Sequence, residues 1–159
     1  MSDHCSLAPE VVTSIHQLYG MQSHLIDTGQ SDSWAKTFTI DGEFHSPSYP
    51  EPVVGFAELT AFADRFFSGA SAAGEVHRHV LTNLAIESHE PGVVTVRGYL
   101  QIVATAIGGE SRLVRMTTIT DRVVRVNEGW RIDRRVVSRD DTVAQHSITA
   151  HAPRSSTHS

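Results

Sequence analysis

Cysteine is nearly missing from this chain: Cys5 stands alone among 159 residues. No intramolecular disulfide framework is possible, and a reducing compartment fits. Long apolar runs are missing too, since no stretch approaches the roughly 18 residues of a membrane span. A basic stripe is also lacking. Thirteen basic and eighteen acidic side chains leave a net charge of −5, which argues against nucleic acid. Residues Met1 to Ser6 hold no basic segment followed by an apolar core, so no signal peptide is read. These absences predict a cytoplasmic protein with neither nucleic acid nor membrane as a partner.

Motifs of well-known chemistries are equally scarce. There is no Gly-x-Ser-x-Gly elbow, and Cys5 in a terminal segment makes no credible Cys-His pair. Ile107-Gly108-Gly109-Glu110 reads as a hairpin turn rather than a phosphate cradle. His77-x-His79 resembles the start of a cupin metal motif, but Asn83-Leu84 stand where a glutamate should follow. The expectation is no metal and no cofactor.

What is present suits a globular core: 40% apolar residues and only 19% charged ones. The length predicts one domain, over residues 1–141. Residues 142–159 are polar and without periodicity, and read as a loose tail. His4, His146, His151 and His158 fall in terminal segments and read as solvated.

Along the chain, Val11, Ile15, Leu18, Gln22 and Leu25 recur at helical spacing. They predict a first helix over 9–27, opened by Pro9 and stopped by Thr28-Gly29. Ser31 or Asp32 can cap a short second helix carrying Trp34, Ala35 and Phe38. Asp41-Gly42 reads as a turn into a strand at 43–46, ended by Pro47, Pro50 and Pro52. Phe56, Leu59, Phe62, Ala63 and Phe66 mark a third helix over 56–67, and 69–74 reads as a loop. Four strands follow, at about 76–88, 93–106, 112–126 and 130–139. Their short turns make them antiparallel neighbours.

Helices first and a meander second give the α+β class. The strands are apolar on both faces. Val94, Val96, Leu100, Ile102 and Ala104 point one way, and Val93, Tyr99 and Val103 the other. The second face predicts a homodimer or homotrimer through the sheet.

Three signposts carry a family resemblance. They are Trp34 to Gly42 after the first helix, Arg78-His79 with Asn83 in the first long strand, and Gly129-Trp130-Arg131-Ile132 followed by Arg135 in the last. With this order of elements, residues 9–140 resemble the SnoaL-like branch of the nuclear-transport-factor-2-like superfamily. The resemblance implies a cone-shaped, curved antiparallel or mixed sheet, with the helices on its concave face and one deep pocket between. It implies no single activity, because the superfamily holds polyketide cyclases, dehydratases, isomerases, oxygenase small subunits and binding proteins.

The residues then suggest where chemistry would lie. Asp27 ends the first helix and His79 sits in the first long strand. A helix laid across a concave sheet can bring them together, and a carboxylate touching an imidazole sets its tautomer and basicity. The pair resembles the Asp-His dyad of scytalone dehydratase, although that family's second histidine, on the next strand, has no counterpart in Tyr99 to Ala104. Tyr19, His45, Tyr49, Phe62, Asn83 and Tyr99 are the candidate substrate contacts, with Leu81, Phe66, Val103 and Met116 as further apolar wall. Asn83 shares His79's face if alternation holds. The basic tint of the last strands reads as cross-strand pairing with acids such as Asp121 and Asp133.

The resulting expectation is a lyase or isomerase of secondary metabolism. It would cyclise, dehydrate or isomerise a hydrophobic oxygenated substrate such as a polyketide or terpenoid intermediate. The alternative is a ligand-binding protein or the small subunit of a ring-hydroxylating oxygenase. Epoxide opening would want an Asp-Arg-Asp arrangement that the sequence does not reveal.

Overall fold

A computed structural model describes residues 6–127 and 129–141. The tail expected at 142–159, and the four terminal histidines, lie outside the described residues. The elements are α1 (Pro9–Asp27), α2 (Ser31–Ala35), β1 (Phe38–His45), β2 (Val53–Val54), α3 (Gly55–Ala72), β3 (Glu75–Glu90), β4 (Val93–Ala106), β5 (Ser111–Val126) and β6 (Gly129–Arg139). The strands form one six-stranded sheet in the order β2-β1-β6-β5-β4-β3. Neighbours are antiparallel except β1 and β6, which run parallel. The sheet is therefore mixed, with the helices packed on it. Among the described residues no helix is long and apolar enough to cross a membrane.

Ile15, Tyr19 and Ile26 bury one stripe of α1 against the sheet, where Val94, Val96, Ile119, Val123 and Ile132 meet it. This is the outcome expected of apolar residues at helical spacing in one element and alternating in the other. Trp34, Phe38, Phe44 and Phe62 join α2, β1 and α3, with ring centroids 4.8 to 5.8 Å apart. Such pairs add about 0.5–1.5 kcal/mol each beyond their buried area. Gly29 ends the α1 turn with φ 75°, and a Cβ there would come within 2.8 Å of the Phe67 ring. Both the turn and the ring exclude a side chain.

Four local expectations need correction. Asp41-Gly42 is not a turn but lies within β1, where the register against β6 slips between Phe38 and Glu43. Phe38 opens that strand instead of closing α2. Ser31 is not a cap; it is the first helical residue, and its hydroxyl donates to Asp64 of α3. The small residues after Phe67 do not break α3, which runs on to Ala72 with Ala70 buried. Tertiary packing outweighs the weak helix propensity of glycine and serine there.

Candidate functional site

Asp27 is the last residue of α1, and α1 ends beside β3. Its carboxylate accepts the backbone N–H of His79 at 3.1 and 3.2 Å. It also meets the His79 ring, with Oδ1 2.7 Å from Nδ1. An ionised carboxylate only accepts, so the shared proton sits on Nδ1 and the Nε2 lone pair is left uncommitted. The side chains of His79 and Asp27 are 12% and 7% exposed. This desolvation strengthens the contact relative to an exposed pair.

His79 lines a cavity of about 210 Å³ between α1, α3 and the sheet. Its wall is largely apolar, with Trp34, Phe44, Phe62, Phe66, Leu81 and Ile102 among the residues. The Phe66 ring packs on both imidazoles of β3, 4.9 Å from His79 and 5.5 Å from His77. Asp27 itself borders a second cavity, also about 210 Å³, shared with Phe67, Glu75 and His77.

His77, set aside above with the incomplete metal motif, proves to be a site residue. It lines both cavities, because residues two apart on a strand share a face. Its Nε2 meets Glu75 at 2.9 Å, and Arg112 donates to the same carboxylate at 2.6 Å. Hydrogen bonds from His77 and then Arg112 hold the Glu75 carboxyl below its usual pKa, so its charge persists into mildly acidic solution. The His77 Nδ1 is buried with no hydrogen-bond partner among the described residues. β3 thus carries two histidines on one face, each with its own carboxylate.

The other candidates divide. Tyr49 and Phe62 line the cavity and touch edge-to-face at 5.4 Å. His45 does not line it: Phe44 takes the inward position on β1, and His45 pairs instead with Glu43 at 3.2 Å. Tyr99 faces the opposite side of the sheet and is 47% exposed, since Leu100 holds the inward parity on β4. Asn83 is exposed with φ 56° at a bulge where β3 slips between Thr82 and Ala85. That slip turns it off the His79 face. Val103 and Met116 do not line the cavity either. Tyr19 also stays out of the cavity wall and donates its hydroxyl to Asp121 in the core.

That core contact belongs to a cluster of which the sequence predicts the cross-strand pairing with Asp121 but not the part played by Tyr19. Arg135 donates to both Asp121 oxygens, at 2.7 to 3.1 Å, and its guanidinium lies over the Tyr19 and Phe38 rings. Asp121 and Arg135 are cross-strand partners on β5 and β6, and Arg122 likewise reaches Asp133. Burial lowers the pKa of Arg135, but the charge and hydrogen bonds of Asp121, with those of Tyr19, together outweigh it and the net shift is upward. Burial first, and the Asp121 charge second, push the Tyr19 phenol well above its usual pKa. Among the described residues no group of three or more His, Cys, Asp or Glu side chains is placed to hold a metal ion.

Known proteins share this fold. Aln2 from a Streptomyces species is 26% identical with a TM-score of 0.76, covering 87% of this chain and 96% of its own. A Catenulispora acidiphila protein solved in complex with S-DNPA is 26% identical with a TM-score of 0.72, covering 84% and 96%. ActVI-ORFA from Streptomyces coelicolor has a TM-score of 0.76 at 24% identity, covering 84% and 99%, and shares the fold. No curated protein matches the sequence. The SnoaL-like domain model matches residues 10–136. With most of its length so matched, on a helix-covered mixed sheet, the chain belongs to the SnoaL-like family.

Proposed function

We propose that this protein is a cofactor-free acid/base enzyme that cyclises, dehydrates or isomerises a hydrophobic oxygenated small molecule, such as a polyketide or terpenoid intermediate. The 2.7 Å contact between Asp27 and His79, at the wall of an apolar cavity, carries this reading. With Nδ1–H given to Asp27, Nε2 of His79 takes a proton from a carbon beside a substrate carbonyl. The electron pair left behind moves onto the carbonyl oxygen as an enolate. Tyr49 supplies a hydroxyl toward that oxygen. His79 then returns that proton to a leaving hydroxyl or a distant carbon, while His77, hydrogen-bonded to Glu75, lines the cavity wall beside it. Phe66 and Leu81 keep water from the reacting atoms.

The Catenulispora relative, solved with S-DNPA, supports a small-molecule cavity in this fold. The outer sheet face carries exposed Val76, Val80, Tyr99 and Leu113. On this reading a second or third copy of the chain covers that face, giving a homodimer or homotrimer.

The test needs no knowledge of the natural substrate. Incubation with β-tetralone in heavy water, followed by proton NMR, reads deuterium entry beside the carbonyl. The wild type should accelerate exchange. His79→Gln should lose about 10²–10⁴ of that rate, the usual contribution of a positioned acid/base group, while Trp34 fluorescence still reports binding. Exchange that is absent, or indifferent to His79→Gln, would leave the binding-protein or oxygenase-subunit reading in its place.

A further inference from the structure

Strand residues alternate faces, so two consecutive ones should not line one cavity. Val114 and Arg115 of β5 both do. The register explains it: Ile102 pairs with Arg115 and Val103 with Leu113, which leaves Val114 as an extra residue. Bulges of this kind re-aim side chains beside sites. Here the bulge adds Val114 to the wall beside Arg115, whose guanidinium shares the inward parity of Thr117 and lies at the edge of an apolar chamber.

Arg115 is half-buried, and its Nη1 donates to Ser48 Oγ at 2.6 Å in the loop between β1 and β2. That bond fixes its direction. Among the described residues no carboxylate forms an ion pair with Arg115. Asp141 feels its charge, but both Asp141 oxygens are held by Arg139. Arg135, the other arginine of the cavity wall, is already neutralised by Asp121. The uncompensated positive charge of the chamber is therefore at Arg115, and a partly desolvated cation favours an anionic partner.

His79, Ile102 and Arg115 lie on one rung across β3, β4 and β5. Two strand spacings separate the ends of that rung, about 10 Å between Cα atoms. Apolar Ile102 lies between them, a surface for a fused ring rather than a polar chain.

We infer that Arg115, with Ser48, forms an anion subsite, and that the substrate carries a carboxylate at the end of its apolar skeleton opposite the carbon served by His79. The planar guanidinium suits a carboxylate because it offers paired donors in a fork. This deepens the acid/base reading and rests on it for the claim that the ligand is a substrate.

Calorimetry at neutral pH with naphthylacetic acid, its methyl ester and its amide tests the subsite. The acid should bind wild type roughly tenfold or more tighter than the ester, the effect of one charge-assisted hydrogen bond. Arg115→Met should erase that preference, and Arg115→Lys should keep part of it. His79→Gln should keep all of it while losing exchange on β-tetralone. Equal binding of acid and ester by wild type overturns the subsite, as does a preference surviving Arg115→Met or the failure of every probe to bind. The wild-type comparison needs no variant to fold. A retained acid preference without any exchange activity sinks the acid/base reading and leaves the subsite standing.

Discussion

Tyr19, Asp121 and Arg135 make a polar cluster buried between α1, β5 and β6, with Arg135 reaching the cavity wall, and each of these side chains is bonded to another. Asp27, His79, Glu75 and His77 make a second cluster at the end of α1 and along β3. There two ring nitrogens, His79 Nε2 and His77 Nδ1, make no hydrogen bond among the described residues. Both clusters join carboxylates to buried donors. In the first the carboxylate accepts from the Tyr19 hydroxyl and from Nε and Nη2 of Arg135, which suits a role in holding the sheet and helix together. In the second each carboxylate engages one side of an imidazole and leaves the other ring nitrogen without a hydrogen bond among the described residues. A buried ring nitrogen without a partner costs about 1–3 kcal/mol, and in His77 it belongs to a residue of the cavity wall.

The comparison breaks most sharply at Arg135. Arg135→Met strands the Asp121 charge in the core and should cost about 3–5 kcal/mol in urea unfolding. Replacing Tyr19, Asp121 and Arg135 together by Phe, Leu and Met should cost far less, because no charge is then left unpaired. At the cavity, His79→Gln should change unfolding free energy by only about 1 kcal/mol, against its large effect on exchange. Equal stability losses at His79 and Arg135 would erase the distinction between the clusters.

A smaller effect concerns pH. The Tyr19 phenol ionises less readily in the folded chain than in the unfolded one. Its contribution to stability is thus full below the unfolded value of about 10 and lost as pH rises above it toward the folded value. The thermal midpoint of the wild type should fall more steeply above that pH than the midpoint of Tyr19→Phe. Parallel slopes would show that the phenol is not held as the geometry implies.

Much of this architecture was legible because periodicity survives tertiary context. The stripe from Val11 to Leu25 predicts α1 with the ends it has, and four runs separated by short turns predict β3 to β6. The helix end at Asp27 and the parity of His79 were likewise readable. Parity fails where a bulge intervenes: Asn83 leaves the His79 face at the slip in β3, and Val114 joins Arg115 in the cavity wall at the slip in β5. Tyr99 and Val103 differ from expectation for a simpler reason. Their side chains suit a pocket wall, but their odd positions on β4 put them opposite Leu100, and parity decides the face. His77 was readable from the same alternation that marks His79. The pairing of Arg135 with Asp121 was readable as a cross-strand pair, but the Tyr19 hydroxyl meets Asp121 across 102 residues, which no local pattern encodes.

The proposed chemistry turns on a single protonation state, that of His79 with its Nδ1 proton held by Asp27. Nitrogen NMR of histidine-labelled protein at neutral pH reads it directly. The shifts should show His79 protonated on Nδ1 with a bare Nε2, and Asp27→Asn should abolish that preference. A His79 already protonated on Nε2, and unchanged by Asp27→Asn, would contradict a base poised at the cavity.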